Sequence, residues 1–558
     1  MRRKRLSRVA AVALCAVMAA GMLAGCAGGK ENTKVSTEST SGETAGSTES
    51  EQVQTQTAEG EKTLTYPVST DVELSFYIKN GGLDKSSAYV NYSDVPFYAG
   101  LSERTGVKID WQTYAAGADQ DAAYNLMLQE EKLPDIIFGD RCNDAATLYE
   151  DGLVYDLTEY LPEYAPDFWE YINLPENEAN RKAITTADGR FLYFPFIRES
   201  DFNITYTGPV IRKDWLEELN LEAPVTLEDW ETVLTAFKEK YNAYFSFALH
   251  RFASAGIGGG AGAFAPHIFR LYLDNNEVQC ANTQEEWKNF LTIMNRWYDS
   301  GLLDPDFTTA DDTSVRSRAL NGETGVVYTA MSQLTNFIAD AEKEGIGAEW
   351  VGFSYPRTQK GAATTYIQTD SQTFVPYMGA MITTSGSEEE LIAAIEFLNY
   401  GYSKEGMLYW NFGEEGVSYD IAADGHPEFT DQIKSDERGL SEALKDYTGM
   451  YSVGVGIQMA DMVKAKNSKT SAEAVAAWTE NTVAGSYMLP PYARTEEEQV
   501  LYNDASTQLS TYVTEMALKF ITGEESLDNF DKFVEQMNEY GLQKLLESEQ
   551  TAYNRSRN

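Results

Sequence analysis

Positive charge, cysteine and histidine are all scarce in this chain of 558 residues, where 44 Lys and Arg stand against 86 Asp and Glu, with 4 Cys and 3 His. A formal net charge of −42 repels DNA, RNA and other polyanions and favours solubility, so no nucleic-acid partner is expected. It leaves open what a pocket holds. So few cysteines exclude a disulfide scaffold: Cys15 and Cys26 lie near the start, and only Cys142 and Cys280 remain, far apart and without metal-like spacing. One disulfide stays open. His250, His267 and His426 show no ligand spacing, and neither an H-E-x-x-H nor a G-x-S-x-G motif is present. The glycine-rich run Gly256 to Gly262 lacks the Lys-Ser/Thr ending of a phosphate loop and reads as a flexible loop. No metal or cofactor is expected. Long apolar runs are missing too, apart from Val9 to Leu23, which falls short of the roughly twenty residues that a membrane-spanning helix needs.

That one run follows Arg2, Arg3, Lys4, Arg5 and Arg8 and precedes small residues, the order of an export leader. Its end, Leu23-Ala24-Gly25-Cys26, resembles the bacterial lipoprotein box. The resemblance implies a signal peptide over residues 1–25, a lipidated Cys26 as the new N-terminus and a chain held by acyl groups on the outer face of the cell membrane. An ordinary secretory signal with an incidental cysteine is the competing reading. Residues 26–62 are rich in Gly, Ser, Thr, Glu and Gln with almost nothing to bury, so they read as a disordered tether. About five hundred residues then remain, too many for one hydrophobic core and natural for two lobes.

Leu74 to Ile78 reads as a strand stopped by Lys79-Asn80-Gly81-Gly82, and Val107, Ile109 and Trp111 alternate with polar partners as a second strand after a helix. Tyr124 to Leu133 reads as a short amphipathic helix, and Ile136 to Gly139 as a buried strand. Alternating units of this kind predict an α/β fold with a mostly parallel, doubly wound sheet. Pro224 and Thr226 precede a helix in which Thr226 caps and Asp229 answers three residues on. Trp230, Val233, Leu234 and Phe237 recur there at helical spacing, as do Trp287, Leu291, Met294 and Trp297 further along, and both sets are expected in a core. Near the C-terminus Tyr512, Val513, Met516, Ala517, Phe520 and Ile521 line one helical face ended by Gly523. Phe530, Phe533, Val534 and Met537 line another, stopped by Gly541.

Several passages, in this order, carry a family resemblance: Leu101 to Ile109, Leu133 to Ile137, Ile211 to Leu216 with Pro224 to Trp230, Gly301 to Phe307, Asn411 to Tyr419, and Phe520 to Gly523. Together they resemble the extracellular solute-binding proteins of carbohydrate ABC importers, in the large branch that includes lipoproteins of low-GC Gram-positive bacteria and alginate-oligosaccharide binders. The resemblance implies a two-lobed periplasmic-binding-protein-like fold of type II, with a hinge that the chain crosses several times. It places one lobe at 63–207 with 330–380 and the other at 208–329 with 381–558. It further implies a monomer that closes over a carbohydrate and presents it to the permease subunits. Some relatives carry a calcium loop, and this chain departs from them. Asp304-Pro305-Asp306 and Asp311-Asp312 lack the glycine and terminal glutamate such a loop needs, and read as solvated acidic surface.

A sugar offers hydroxyl rims and apolar C–H faces, so its site needs aromatic plates and side chains that donate and accept. Asn80 and the Asp140-Arg141 pair follow strands at their carboxyl ends, where open α/β sheets place ligands. The resemblance to maltose-type binders adds an Asp-Arg pair of this kind touching sugar hydroxyls. A plain turn and a surface ion pair are the alternatives. Arg198 lies near the expected first hinge crossing, with a planar fork of donors that suits either a ligand or Glu199 and Asp201. Trp410, beside Asn411 and a glycine-rich loop, is the expected aromatic plate, with Trp478 and Tyr487 on the same grounds, against core packing. A peptide-binding lipoprotein, a glycoside hydrolase and a passive adhesin are the rival readings; eighty-six acidic residues make a catalytic carboxylate pair impossible to choose from sequence.

Overall fold

The computed structural model describes residues 64–79, 89, 91–115, 118–199, 205–252, 269–357, 359–364, 373–451, 454–490 and 492–557. The leader, Cys26, the tether, Asn80 and the glycine-rich run lie outside them. In chain order the strands are β1 (Glu73–Ile78), β2 (Lys108–Thr113), β3 (Ile136–Gly139), β4 (Phe194–Arg198), β5 (Thr207–Arg212), β6 (Tyr244–Phe247), β7 (Leu271–Asp274), β8 (Glu277–Cys280), β9 (Thr324–Ala330), β10 (Trp350–Gly352), β11 (Phe374–Ile382), β12 (Tyr419–Ile421), β13 (Pro427–Phe429) and β14 (Gly456–Gln458).

Six of them form one sheet in the order β14-β4-β11-β3-β1-β2. β1 runs parallel to β2 and β3, β4 runs parallel to β14, and only β11 runs against its neighbours. The mostly parallel sheet expected from the alternating units is found here. The second sheet, β10-β5-β9-β6, departs from it: β5 is antiparallel to both β9 and β10, and only the β6–β9 pair is parallel. β9 and β10 are joined by the helix Met331–Glu344 and flank β5 on either side. The crossover is therefore around one intervening strand rather than between neighbours.

Each sheet is covered by helices whose apolar stripes the sequence displays. In the first, the helix Pro96–Thr105 brings Phe97 and Leu101 against a core containing Leu74, Phe76, Ile136, Phe194, Phe196, Ala394 and Phe397. In the second, the helix Leu227–Tyr241 starts at a capping box of Thr226 and Asp229 and buries Trp230, Val233, Leu234 and Phe237. Trp287, Leu291, Met294 and Trp297 join them there, with Val513, Ala517, Phe520, Phe533 and Met537 from the C-terminal helices. Gly523 and Gly541, with φ of 76° and 95°, end the two helices that the sequence assigned to them, since a left-handed residue closes a helix at little cost when it has no side chain. A smaller cluster around Phe412, Tyr419, Phe429 and Leu444 packs the β12–β13 hairpin.

Core membership alternates along the chain. Residues 326–355 belong to the second core, and residues 374–410 and 450–457 belong to the first, with Phe412 to Leu444 in the smaller cluster between them and the chain returning to the second core only at Val463. The reason is β11: it inserts between β3 and β4, and Leu391 to Leu398 then pack behind it. The chain thus passes between the cores between β4 and β5, between β10 and β11, and between β14 and the helix Lys469–Thr479. Two further expectations change. The amphipathic helix runs over Gln120–Met127 rather than 124–133, because Asp119 caps it by accepting from the Ala122 N–H at 2.8 Å. Asp304 is not surface: it is fully buried, accepts from the Ser246 hydroxyl at 2.7 Å and pairs with Arg318 at 2.9 Å. Asp311 caps the helix Asp312–Leu320, and Asp312 holds Arg251 at 2.6 Å. Cys142 and Cys280 are both free and buried, in different cores.

Candidate functional site

A cavity of about 400 Å³ opens between the two cores, within the size range of small-molecule sites. The first core supplies Asn143, Tyr193, Arg198, Phe374 and Tyr377; the second side supplies Tyr492, Arg494, Glu496, Gln499 and Tyr502. Strand order explains the first set. Arg198 ends β4, Phe374 begins β11, and Asn143 lies just past β3, so the neighbouring strands deliver them to one edge of the sheet. Arg198 is 9% exposed, with the Phe196 and Tyr206 rings 5.6 and 5.8 Å from its guanidinium carbon. Next to it in sequence, Glu199 accepts from the Ala460 N–H at 2.7 Å and ties the first passage between the cores to the third.

The opposite wall is built on Arg494. Its Nε and Nη2 donate to the two carboxylate oxygens of Glu549 at 2.7 and 2.6 Å, the two-pronged geometry that suits a planar guanidinium. Glu549 is fully buried and also accepts from the Tyr492 hydroxyl at 2.7 Å. The Tyr502 ring lies 3.9 Å from the Arg494 guanidinium. Burial alone would lower the pKa of Arg494, but the Glu549 carboxylate outweighs it and raises the net value. Burial raises that of Tyr492, with the Glu549 charge adding to it. Both therefore stay in their usual protonation states at neutral pH. The wall combines aromatic faces with donors held in fixed directions.

Beside the cavity, four charged groups are linked in a chain of ion pairs near the ends of β1 and β3. Lys79 pairs with Asp121 and with Asp140, both at 2.8 Å, and Arg141 pairs with Asp121 at 2.6 Å. Burial works against the Lys79 charge, but the two carboxylates more than compensate and its pKa rises. Asp121 is held below the usual carboxylate range by the hydrogen bonds from Lys79 and Arg141. Asp140 and Arg141 are thus linked through Lys79 and Asp121, which were not among the expected ligand contacts.

The aromatic plates expected at Trp410 and Trp478 are core residues. Trp410 sits in the helix Lys404–Phe412 at 5% exposure, edge-on to Phe97 at 5.0 Å and packed against Gly449. Trp478 is fully buried, lies on Gly208 and donates its indole N–H to the Pro209 carbonyl at 2.9 Å. Tyr487 lies in a short turn of helix, Ala484–Tyr487, and does not line the cavity. Of the expected site residues Arg198 lines it, Asp140 and Arg141 directly precede the lining residue Cys142, and Asn80 is outside the described residues.

The model of the bacterial extracellular solute-binding protein family matches residues 96–413, more than half of the chain. The chain belongs to that family. This solute-binding protein is 22% identical over 485 residues to Lipoprotein LipO of Bacillus subtilis, covering 83% of this chain and 89% of the relative. It is 26% identical over 252 residues to the fructooligosaccharide ABC transporter substrate-binding protein FusA of Streptococcus pneumoniae, covering 41% of this chain and 45% of FusA. The crystal structure of alginate-binding protein AlgQ2 without calcium ion superimposes with a TM-score of 0.73 at 22% identity, over 88% of this chain and all of that one. FusA in complex with kestose gives 0.68 at 18% identity, over 87% and 99%. At such identities the likeness establishes the fold, the type II architecture of periplasmic binding proteins.

Proposed function

We propose that this solute-binding protein is the extracellular capture component of an ABC importer, that its solute is a carbohydrate, an oligosaccharide, and that it delivers this ligand unchanged to the permease subunits. The cavity between the cores carries the reading. Its tyrosines offer flat apolar faces for sugar C–H surfaces, while Arg198, Arg494, Asn143 and Gln499 offer donors and acceptors for hydroxyl rims. Because both cores contribute, a ligand that touches both selects the state in which they approach, and that closed shape is what a permease can read. The named ligands of its relatives support the same class: fructooligosaccharide for FusA, polygalacturonan and rhamnogalacturonan for a Bacillus subtilis protein 19% identical over 483 residues. Arg198 is the first contact in this reading, with Asp140, Arg141 and Asn80 at the adjacent strand ends. The protein acts as a monomer, anchored through lipidated Cys26 after loss of residues 1–25 and carried on the tether of residues 26–62, and it performs no catalysis.

Titration calorimetry against a panel of oligosaccharides tests it: one member saturates at unit stoichiometry and is recovered intact. Steady release of reducing ends identifies a hydrolase instead, and saturation by peptides alone identifies a peptide carrier. For the anchor, Cys26→Ser moves the protein from the membrane fraction to the medium; retention in the membrane contradicts lipidation.

A further inference from the structure

The cavity's charges point to what it refuses. Among its described lining residues Arg198 and Arg494 are the cations and Glu496 is the anion, and Glu549 lies directly behind Arg494 with both oxygens bonded to it. Two positive groups are thus met by two negative ones. Cys142 and Tyr193 also line the cavity, and burial raises both their pKa values, so neither adds charge at neutral pH. In the adjacent network Lys79 and Arg141 are likewise met by the carboxylates of Asp121 and Asp140, with Asp144 close to Arg141. Among the described residues, neither wall offers an excess of positive charge for an anionic ligand.

Arg494 shows how a cation is converted to another use. Its Nε and Nη2 are committed to Glu549, the Tyr502 ring covers it at 3.9 Å, and about a fifth of its side chain, 21%, stays exposed. Nη1 takes no part in the Glu549 pair. A guanidinium held this way presents hydrogen-bond donors in a fixed plane while its charge is cancelled from behind. A carboxylated sugar entering here would surrender its hydration to a site already neutral, within a molecule whose net charge of −42 repels it on approach. Hydroxyl groups lose less on entry and can use both the donors and the ring faces.

We infer that the ligand is an uncharged oligosaccharide, and that the Glu549 carboxylate, by neutralising Arg494, is the specificity-determining group that turns uronate-bearing chains away. This rests on the oligosaccharide reading above and narrows it. Calorimetry with neutral oligosaccharides (gluco-, manno-, xylo- and fructo-series) and with oligogalacturonates and oligoalginates, each at low and high salt, separates the two. The best neutral ligand is expected to bind at least about tenfold tighter than any oligouronate, with an affinity that hardly changes with salt. Glu549→Gln keeps an acceptor for Arg494 but removes the charge, and is expected to narrow that preference severalfold. An oligouronate that binds the unaltered protein most tightly, and loses affinity as salt rises, overturns the inference and leaves the oligosaccharide reading standing. Binding of neither panel removes both. Should Glu549→Gln not fold, the wild-type comparison still decides the ligand's charge; a folded Glu549→Gln protein with unchanged preference removes Glu549 from the role.

Discussion

Lys466 lies in the third passage between the cores, and its Nζ donates to the Tyr451 carbonyl at 2.5 Å. Burial pushes its pKa down to about 8. Between that value and the usual lysine value near 10.4 the unfolded chain holds a proton that the folded protein has shed, so this site makes stability rise with pH across that window. Below pH 8 both states are protonated and the full cost of the buried charge is present. Lys466→Met is expected to flatten the rise and to stabilise the protein at pH 7 by up to about 3 kcal/mol, which urea denaturation at pH 7 and pH 9.5 reads directly. Trp410 behaves differently from a ligand plate. Filling the space between Phe97 and Gly449, it is expected to cost about 3–5 kcal/mol of stability on Trp410→Ala, seen as a lowered denaturation midpoint; an unchanged midpoint would contradict its place in the core. Arg198→Met keeps the apolar stem and removes the donors. It is expected to weaken saccharide binding by about 1–3 kcal/mol, read by titration calorimetry, since it leaves sugar hydroxyls unpaired.

At the level of elements, the helix Lys469–Thr479 shows how a close approach fixes a layer. It packs onto β5 and β10 through Gly208, where an added Cβ would lie 2.5 Å from the Trp478 ring, and Gly352, where it would lie 2.2 Å from Ala474. Gly208→Val is expected to push the helix off the sheet at a cost of about 1–3 kcal/mol or more, with a changed near-ultraviolet signal from Trp478. Elements of this sort were legible where one face repeats: Trp230, Val233, Leu234 and Phe237, then Trp287, Leu291, Met294 and Trp297, then Phe530, Phe533 and Met537 are buried as the spacing required, with Val534 half-buried beside them. The capping box at Thr226 and the glycine stops at 523 and 541 were legible because their chemistry is local. Local spacing could not show that β11 would insert between β3 and β4, since those pairings join residues more than 170 positions apart. The tryptophans misled for a related reason. Trp410 breaks no stripe of its own helix once Phe97 and Gly449 are known to face it, and both come from elsewhere in the chain.

Over the whole molecule, most of the fold was readable but only one edge of the site. Arg198 could be picked out because it lies near the expected first hinge crossing; Arg494, Tyr492 and Glu549 could not, because their meaning depends on a buried carboxylate on the last helix meeting a stretch 55 residues earlier. The run Leu489-Pro490-Pro491-Tyr492, aromatic and unable to be helical, was the one available signal. Two cores joined by three passages also predict a mechanical response. Saturating saccharide is expected to reduce the radius of gyration in solution scattering and, at a hundredfold excess over Kd, to add about 2.7 kcal/mol to stability; profiles that superimpose with and without ligand would argue against closure. The most direct test is a crystal structure of the protein soaked or grown with the oligosaccharide that binds most tightly. The geometry described here puts the sugar between Arg198 and Arg494, with tyrosine rings against its faces. Density for the sugar anywhere else, with this cavity holding only solvent, would contradict it.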